Sequence, residues 1–279
     1  MTAPTVHLVP LEDARADRAR AVLLDAPVLL NEEVAPAHFL LRLSAPAVAR
    51  AARPGQFAMI SLIRDGESLT TLPRPMALYD WDGGEGSIDI LYRVVGRGTK
   101  VLSGFRPGER LVTVGPLGRG FTVRSGTRRM LLRGRGIGVC SLTGLGRAAA
   151  ERDVALEVVV SAREPGALIG LELFRTFGAR VWAVTDQDGS SDVARLQGLL
   201  TSRLEIAPVQ QIATCGSERL LLLGARLAER FQASLEVSLE AHMACGIGYC
   251  HGCAGGRRDP ADESPLICTV GPVFAYEGA

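Results

Sequence analysis

The sequence predicts a β plus α/β protein in three parts: an antiparallel β-barrel, a parallel α/β unit, and a small cysteine-rich C-terminal subdomain. Three observations predict it. Between Ala21 and Val123, short apolar runs are separated by Arg53-Pro-Gly55, Asp82-Gly-Gly84 and Arg106-Pro-Gly108, the punctuation of antiparallel strands. From Arg129 onward, apolar runs alternate with helical stretches, which is how a parallel sheet with covering helices reads. Four of the six cysteines then lie beyond Ala244.

Taken in order, Ala21–Leu30, His38–Leu43, Phe57–Ile63, Ser87–Tyr92 and Arg110–Val114 are the expected strands of the first unit. Lys100–Gly104 reads as a short helix. In the second unit strands are expected at Arg129–Arg133, Ala155–Ser161, Arg180–Thr185 and Gln211–Cys215. Helices are expected at Ser141–Glu151, Leu168–Phe177, Arg195–Leu204 and Ser217–Leu227. A last strand, Leu235–Leu239, leads into the cysteine-rich tail. The expected boundaries are an N-terminal extension over 1–20, the barrel over 21–125, the α/β unit over 126–234 and the cysteine-rich subdomain over 235–279.

Bulk properties narrow the function classes. With 279 residues, 47% of them hydrophobic, the chain can bury more than one core. A net charge of +1 offers no field for nucleic acid or an anionic membrane, and 5% aromatic content offers few platforms for base stacking. Apolar runs such as Leu220–Ala225 are too short to span a bilayer. The stretch Met1–Arg20 mixes acidic, basic and alanine residues with no apolar core of an export signal, so a cytoplasmic location is expected.

The tail carries the sharpest chemical signal. Cys245, Cys250, Cys253 and Cys268 follow the spacing C-x4-C-x2-C-x14-C, and glycines interleave the first three. That is the plant-type ligand spacing of a [2Fe–2S] cluster, in which small residues let backbone N–H groups turn toward the sulfurs. Two disulfides would need an oxidising compartment. A structural zinc ion more often takes two close pairs than three cysteines plus one. His242 and His251 flank the cysteines, but four thiolates already complete the ligand set. Arg257-Arg-Asp259 reads as a solvated turn.

Phosphate-binding features occur earlier. Arg74 beside Pro75, in Leu72-Pro-Arg-Pro-Met-Ala-Leu78, can present a preorganised fork to a phosphate. Gly98 and Thr99, at the start of a short helix after Tyr92-Arg93, can present N–H groups and a hydroxyl to a pyrophosphate. Singly, each feature also fits an ordinary turn.

Their order resembles the ferredoxin reductase superfamily: Arg-Pro-x-x, a Tyr-Arg strand, Gly-Thr, Gly115-Pro-Leu-Gly-Arg-Gly-Phe121, then a glycine-rich strand–turn–helix. With the cysteine tail, including Ile267-Cys-Thr-Val-Gly-Pro-Val-Phe274, the chain is similar to the electron-transfer subunits of two-subunit, NAD-dependent dihydroorotate dehydrogenases. The resemblance implies an FAD-binding barrel, a Rossmann-like nucleotide unit and a [2Fe–2S] subdomain. It implies FAD contacts at Arg74, Pro75, Met76 and Ala77, at Leu91, Tyr92 and Arg93, and at Gly98 and Thr99. NAD(H) contacts would fall at Gly134, Gly136, Gly138, Cys215 and Gly216, and cluster ligation at the four tail cysteines. The implied partner is an FMN-containing catalytic subunit in a hetero-oligomer of pyrimidine biosynthesis, with no catalytic residue for the final substrate on this chain. A reductase component serving another redox partner, and a zinc-stabilised scaffold, are the alternatives.

Departures from the family pattern lie on the hydride side. Ala77 stands where serine is usual. Arg135 interrupts Gly134-Arg-Gly136-Ile-Gly138, where it either obstructs backbone approach to a pyrophosphate or pairs with one. The Cys-Gly motif continues Cys215-Gly-Ser-Glu-Arg-Leu220 without its usual proline.

Overall fold

A computed structural model of the chain describes residues 7–11, 21–255 and 264–277. Of the expected N-terminal extension only 7–11 is described, and its residues His7–Pro10 form a strand, β1. Arg257-Arg-Asp259 lies outside the described residues. The chain divides into two units, one of 12–120 with 240–272, the other of 1–11, 121–239 and 273–279.

The first unit contains β2 (Val22–Ala35), β3 (His38–Ser44), α1 (Pro46–Ala51), β4 (Phe57–Ser61), the two-residue strands β5 (Ile63–Arg64) and β6 (Glu67–Ser68), β7 (Arg74–Ala77), β8 (Asp80–Asp82), β9 (Ser87–Arg93), α2 (Arg97–Leu102) and β10 (Arg110–Leu117). Seven of these strands form one antiparallel sheet in the order β7-β4-β10-β2-β3-β9-β8, curled into a half-barrel. β2 bends because its pairing with β3 slips at Val28/Leu30 and Glu33/Ala35, and such bulges raise local twist. Its inner face is filled by residues including Val28, Leu41, Leu43, Ile60, Ile88 and Phe105. Pro75 is tolerated because β7 is an edge strand paired only with β4.

The second unit contains β11 (Arg129–Arg135), α3 (Cys140–Ala150), β12 (Ala155–Ala162), α4 (Leu171–Thr176), β13 (Arg180–Thr185), α5 (Val193–Ile206), β14 (Gln211–Cys215), α6 (Glu218–Phe231) and β15 (Ser234–Ser238). A four-residue helix, α7 (Ile267–Val270), belongs to the tail, and β16 (Val273–Glu277) follows it. The sheet order is β1-β16-β15-β14-β11-β12-β13. Its five strands from β15 to β13 are parallel, and β16 joins β15 antiparallel. β12 is buried on both faces from Leu156 on, as a parallel strand under helices must be. Asp192 starts α5 by accepting from the N–H groups of Ala194 and Arg195. Glu157, 2% exposed, accepts from Arg203 at 2.6 Å and lies within ion-pair distance of Arg129 and Arg180.

The C-terminal part is arranged differently from the expectation of one subdomain over 235–279. Ser234–Ser238 and Val273–Glu277 are neighbouring strands of the parallel unit, and only 240–272 groups with the half-barrel. The reason is hydrophobic: Leu235, Val237, Val273 and Phe274 are all buried, and a short cysteine-rich segment has no core of its own to bury them in.

Candidate functional site

The half-barrel gathers the flavin-type motifs at one place. Arg74 opens β7, and its guanidinium lies against Gly98 at the start of α2: a Cβ on Gly98 would overlap Arg74 Nε. Only glycine permits that approach, so the Arg-Pro and Gly-Thr motifs form one cradle. Thr99 Oγ1 accepts from the N–H groups of Val95 at 3.0 Å and Gly96 at 3.2 Å and donates to the Gly96 carbonyl, which fixes the turn before α2. Beside the cradle is a 430 Å³ cavity lined by Ser68, Leu69, Thr70, Thr71, Leu72, Arg74 and Arg97. Two guanidinium groups and three hydroxyls around one concavity suit a phosphate-bearing ligand.

Arg97 and the Ser68–Leu72 segment were not picked out from the sequence. Their signal was present, a hydroxyl-rich run before Leu72-Pro-Arg and a cation inside Gly-Arg-Gly-Thr, but neither belongs to a fixed spacing. Tyr92, expected at the flavin, lies in the core of the half-barrel. It is 2% exposed, stacks on Phe39 with ring centroids 5.7 Å apart, and donates its hydroxyl to Asn31 Oδ1 at 2.9 Å. Burial raises its phenol well above the ordinary value. Leu91 and Arg93 point to the opposite face of β9, because strand side chains alternate. Met76 is buried and Ala77 half-buried in β7.

Within the same unit, the segment from Glu240 to Pro272 brings all four tail cysteines together in two pairs. The Cys250 N–H points to Cys245 Sγ at 3.4 Å, and the Cys268 N–H to Cys253 Sγ at 3.4 Å. Cys268 is delivered to Cys253 by α7, through the bridge between Ala254 and Leu266 and the bond from Ile267 N–H to the Cys253 carbonyl. Gly246 and Gly248 turn the loop at φ +71° and +86°. A Cβ on Gly246 would overlap Met59 of β4, and one on Gly248 would sit 2.7 Å from Thr269 Cγ2. Burial raises the Cys245 thiol, but the N–H groups of Cys250, Ile247 and Tyr249 outweigh it and hold the group down at about 6. Burial and the Cys253 thiol push Cys268 up to about 12. Among the described residues no three His, Cys, Asp or Glu side chains meet on a single ion-sized point. Two pairs of sulfurs bridged by backbone donors fit a two-iron cluster better than one zinc ion. Cys250 is exposed, as are its neighbours Tyr249 (86%) and Ile247 (60%).

In the parallel unit, Gly134 and Arg135 close β11 and Gly136–Val139 forms a 3₁₀ turn into α3. Gly136 sits at φ +52° over open space. A Cβ on Gly138 would lie 2.7 Å from the Gly216 Cα, so this turn and the Cys215-Gly216 turn form one continuous backbone floor. It lies at the carboxyl ends of β11 and β14, where open α/β sheets bind ligands. The Cys215 side chain itself is buried (1% exposed). Arg135 does not lie over the turn. Its Nη1 donates to Ser161 Oγ at 2.9 Å, and both Nη atoms donate to the Asp186 carboxylate at 3.1 and 2.6 Å.

Residues 240–278 match the family described as the iron–sulfur cluster binding domain of dihydroorotate dehydrogenase B. The dihydroorotate dehydrogenase B (NAD(+)) electron transfer subunit of Caldanaerobacter subterraneus is 35% identical over 80% of this chain and 85% of its own. The subunit of the same description from Desulforamulus reducens is 30% identical over 90% of this chain and 96% of its own. Among solved structures, a chain of the NADH-dependent reduced ferredoxin-NADP oxidoreductase superposes with a TM-score of 0.73 at 25% identity, over 90% of this chain and 87% of that one. The ferredoxin reductase of carbazole 1,9a-dioxygenase shares the fold with a TM-score of 0.62 at 20% identity, over 76% of this chain and 67% of that one.

Proposed function

Because the chain belongs to the family of dihydroorotate dehydrogenase B (NAD(+)) electron transfer subunits, we propose that it carries electrons between NAD(H) and a catalytic dihydroorotate dehydrogenase subunit. Arg74, Gly98 and Thr99, with Arg97 at the cavity wall, hold the phosphates of FAD. Cys245, Cys250, Cys253 and Cys268 ligate a [2Fe–2S] cluster. The Gly134–Gly138 and Cys215-Gly216 turns receive the nicotinamide nucleotide. A flavin accepts two electrons as hydride and releases them singly, which is the conversion needed between a nicotinamide and an iron–sulfur centre. The protein's share is placement: the Arg74–Gly98 cradle fixes the flavin's phosphates, and the exposed Cys250 edge leaves the cluster open to the partner. That partner carries FMN and the site where dihydroorotate is oxidised, in pyrimidine biosynthesis. No helix among the described residues is long and apolar enough to cross a membrane.

The observation that carries this reading is the pairing of four cysteines, two and two, in the unit that also holds the Arg74–Gly98 cradle. The test is Cys250→Ala. It is expected to keep FAD, judged by flavin absorbance per chain, and to lose both the paramagnetic signal of the reduced cluster and electron delivery to the catalytic subunit. Undiminished delivery without a cluster signal would refute the assignment.

A further inference from the structure

Two charged side chains meet at the carboxyl edge of the parallel sheet, and one of them interrupts the glycine pattern of the turn. Arg135 is the last residue of β11, between Gly134 and Gly136, where the strand passes into the turn. It reaches across the end of β12, touching Ser161, to make a two-pronged ion pair with Asp186 beyond β13. Asp186 is bonded also by the Ser191 hydroxyl and feels the charge of Arg219 in the first turn of α6. The carboxylate therefore answers two cations at the carboxyl edge of the sheet. Bonds from Arg135 and Ser191 hold it at about 2, so it is ionised at every working pH.

We propose, resting on the nicotinamide reading above, that Arg135 is a phosphate-binding residue held in reserve by Asp186: the diphosphate of an entering nucleotide replaces the Asp186 carboxylate on the guanidinium. Four features lead there. The Arg135 backbone belongs to the turn over which a diphosphate lies in this sheet architecture. Its side chain is turned along the sheet edge and leaves Gly136 open, so it does not plug the turn. The pair is accessible, the Asp186 side chain being 41% exposed and that of Arg135 17%, and water-screened ion pairs are weak enough to exchange. Finally, a guanidinium fork already set for two carboxylate oxygens matches two phosphate oxygens.

The alternatives differ in sign. A plug would make nucleotide binding tighter on removal of either residue. A purely structural brace would make neither removal favourable. A reserve clamp makes the two removals act oppositely, because Asp186 competes with the ligand for Arg135. The test is calorimetric titration of the FAD- and cluster-loaded full chain with ADP, the adenosine diphosphate half of the nucleotide, and separately with NADH. Asp186→Asn is expected to bind ADP about two- to fivefold more tightly than wild type, from loss of the competing pair. Arg135→Ala is expected to bind it about tenfold more weakly, from loss of a charge-assisted bond. Arg135→Ala binding ADP as tightly as wild type, Asp186→Asn binding it no better, or no form binding it at all, overturns the clamp. If the ADP order is as expected but NADH is not taken, the clamp stands and the nicotinamide part of the proposed function falls.

Discussion

Arg133→Met is expected to stabilise this protein. Arg133 sits in the middle of β11, fully buried, with one hydrogen bond from Nη2 to the Leu220 carbonyl at 2.7 Å. Its Nε and Nη1 have no partner, and neither has Thr214 Oγ1 on the adjoining strand, where Thr214 is the register neighbour of Arg133. The guanidinium is pressed so closely on α6 that a Cβ on Gly224 would overlap it. Burial alone lowers its pKa from 12.5 to about 9, a drop worth ~5 kcal/mol between the charged and neutral forms. Methionine is unbranched, fills similar space and removes that desolvation. It forfeits one hydrogen bond, ~1 kcal/mol, and some packing, ~1 kcal/mol. The net expectation is a gain of about 1–4 kcal/mol at pH 7, within the range for replacing buried charges by apolar residues. The sign of the pH dependence follows from the lowered folded pKa. Wild type bears the full penalty below pH 9 and recovers as pH rises from there toward 12.5. The advantage of the variant therefore shrinks by about 1 kcal/mol between pH 9 and pH 10. Urea unfolding followed by far-ultraviolet circular dichroism at pH 7, 9 and 10 measures both quantities. A variant less stable than wild type at pH 7, or a gap that stays constant to pH 10, would refute the argument that this guanidinium is buried uncompensated.

Two further outcomes follow from single contacts. Gly98→Ala puts a methyl group where the Arg74 guanidinium lies and turns that flexible end away from the start of α2, and the protein is expected to purify with about half of its FAD or less, read as flavin absorbance per chain; full flavin content would disprove the shared cradle. Glu236, 1% exposed beneath Thr122, has its pKa raised by burial despite bonds from Thr122 and the charge of Arg124. Its contribution to stability is then complete below the unfolded value of 4.5 and is lost as pH rises through the higher folded value. Glu236→Gln should therefore unfold at a higher temperature than wild type at pH 8 and lose that lead toward pH 4, and an equal lead at both would sink the assignment.

What could be read in advance divides along physical lines. Strands of the parallel unit were legible as short apolar runs, continuous where both faces are buried as in β12 and β14, and Ala155–Ala162, Arg180–Thr185 and Gln211–Cys215 fall within a residue of expectation. The cysteines were legible because ligation needs a set spacing. β16 was missed because Val273–Glu277 directly follows the cysteine segment, and nothing local says that the chain returns to a distant sheet edge. β7 is not among the expected strands: Arg74–Ala77 is short, carries Pro75, and is admitted to the sheet by its edge position. α2 begins at Arg97, earlier than expected, since the Thr99 hydroxyl closes its first turn. The path of the Arg135 side chain had no sequence signature, because its partner Asp186 lies 51 positions away.

Arg133 and Arg135 show why a departure from a motif has to be judged by its partners. They stand two residues apart on one face of β11, so both point toward the α5 and α6 side of the sheet. Arg135 is answered at both Nη atoms, by Ser161 from β12 and Asp186 from beyond β13, and Ser191 closes on Asp186 in turn. A motif decaying without function would not be expected to place two matched polar groups on the interrupting side chain and a third behind them, since unpaired polar groups at a half-buried edge cost stability. Arg133 has one carbonyl and two unpaired nitrogens, the condition that a merely tolerated residue produces. The same residue type on the same strand is thus coupled to the ligand edge in one case and a burden on the core in the other. Replacing Arg133 should change stability with ADP binding little altered, whereas replacing Arg135 should change ADP binding with stability little altered.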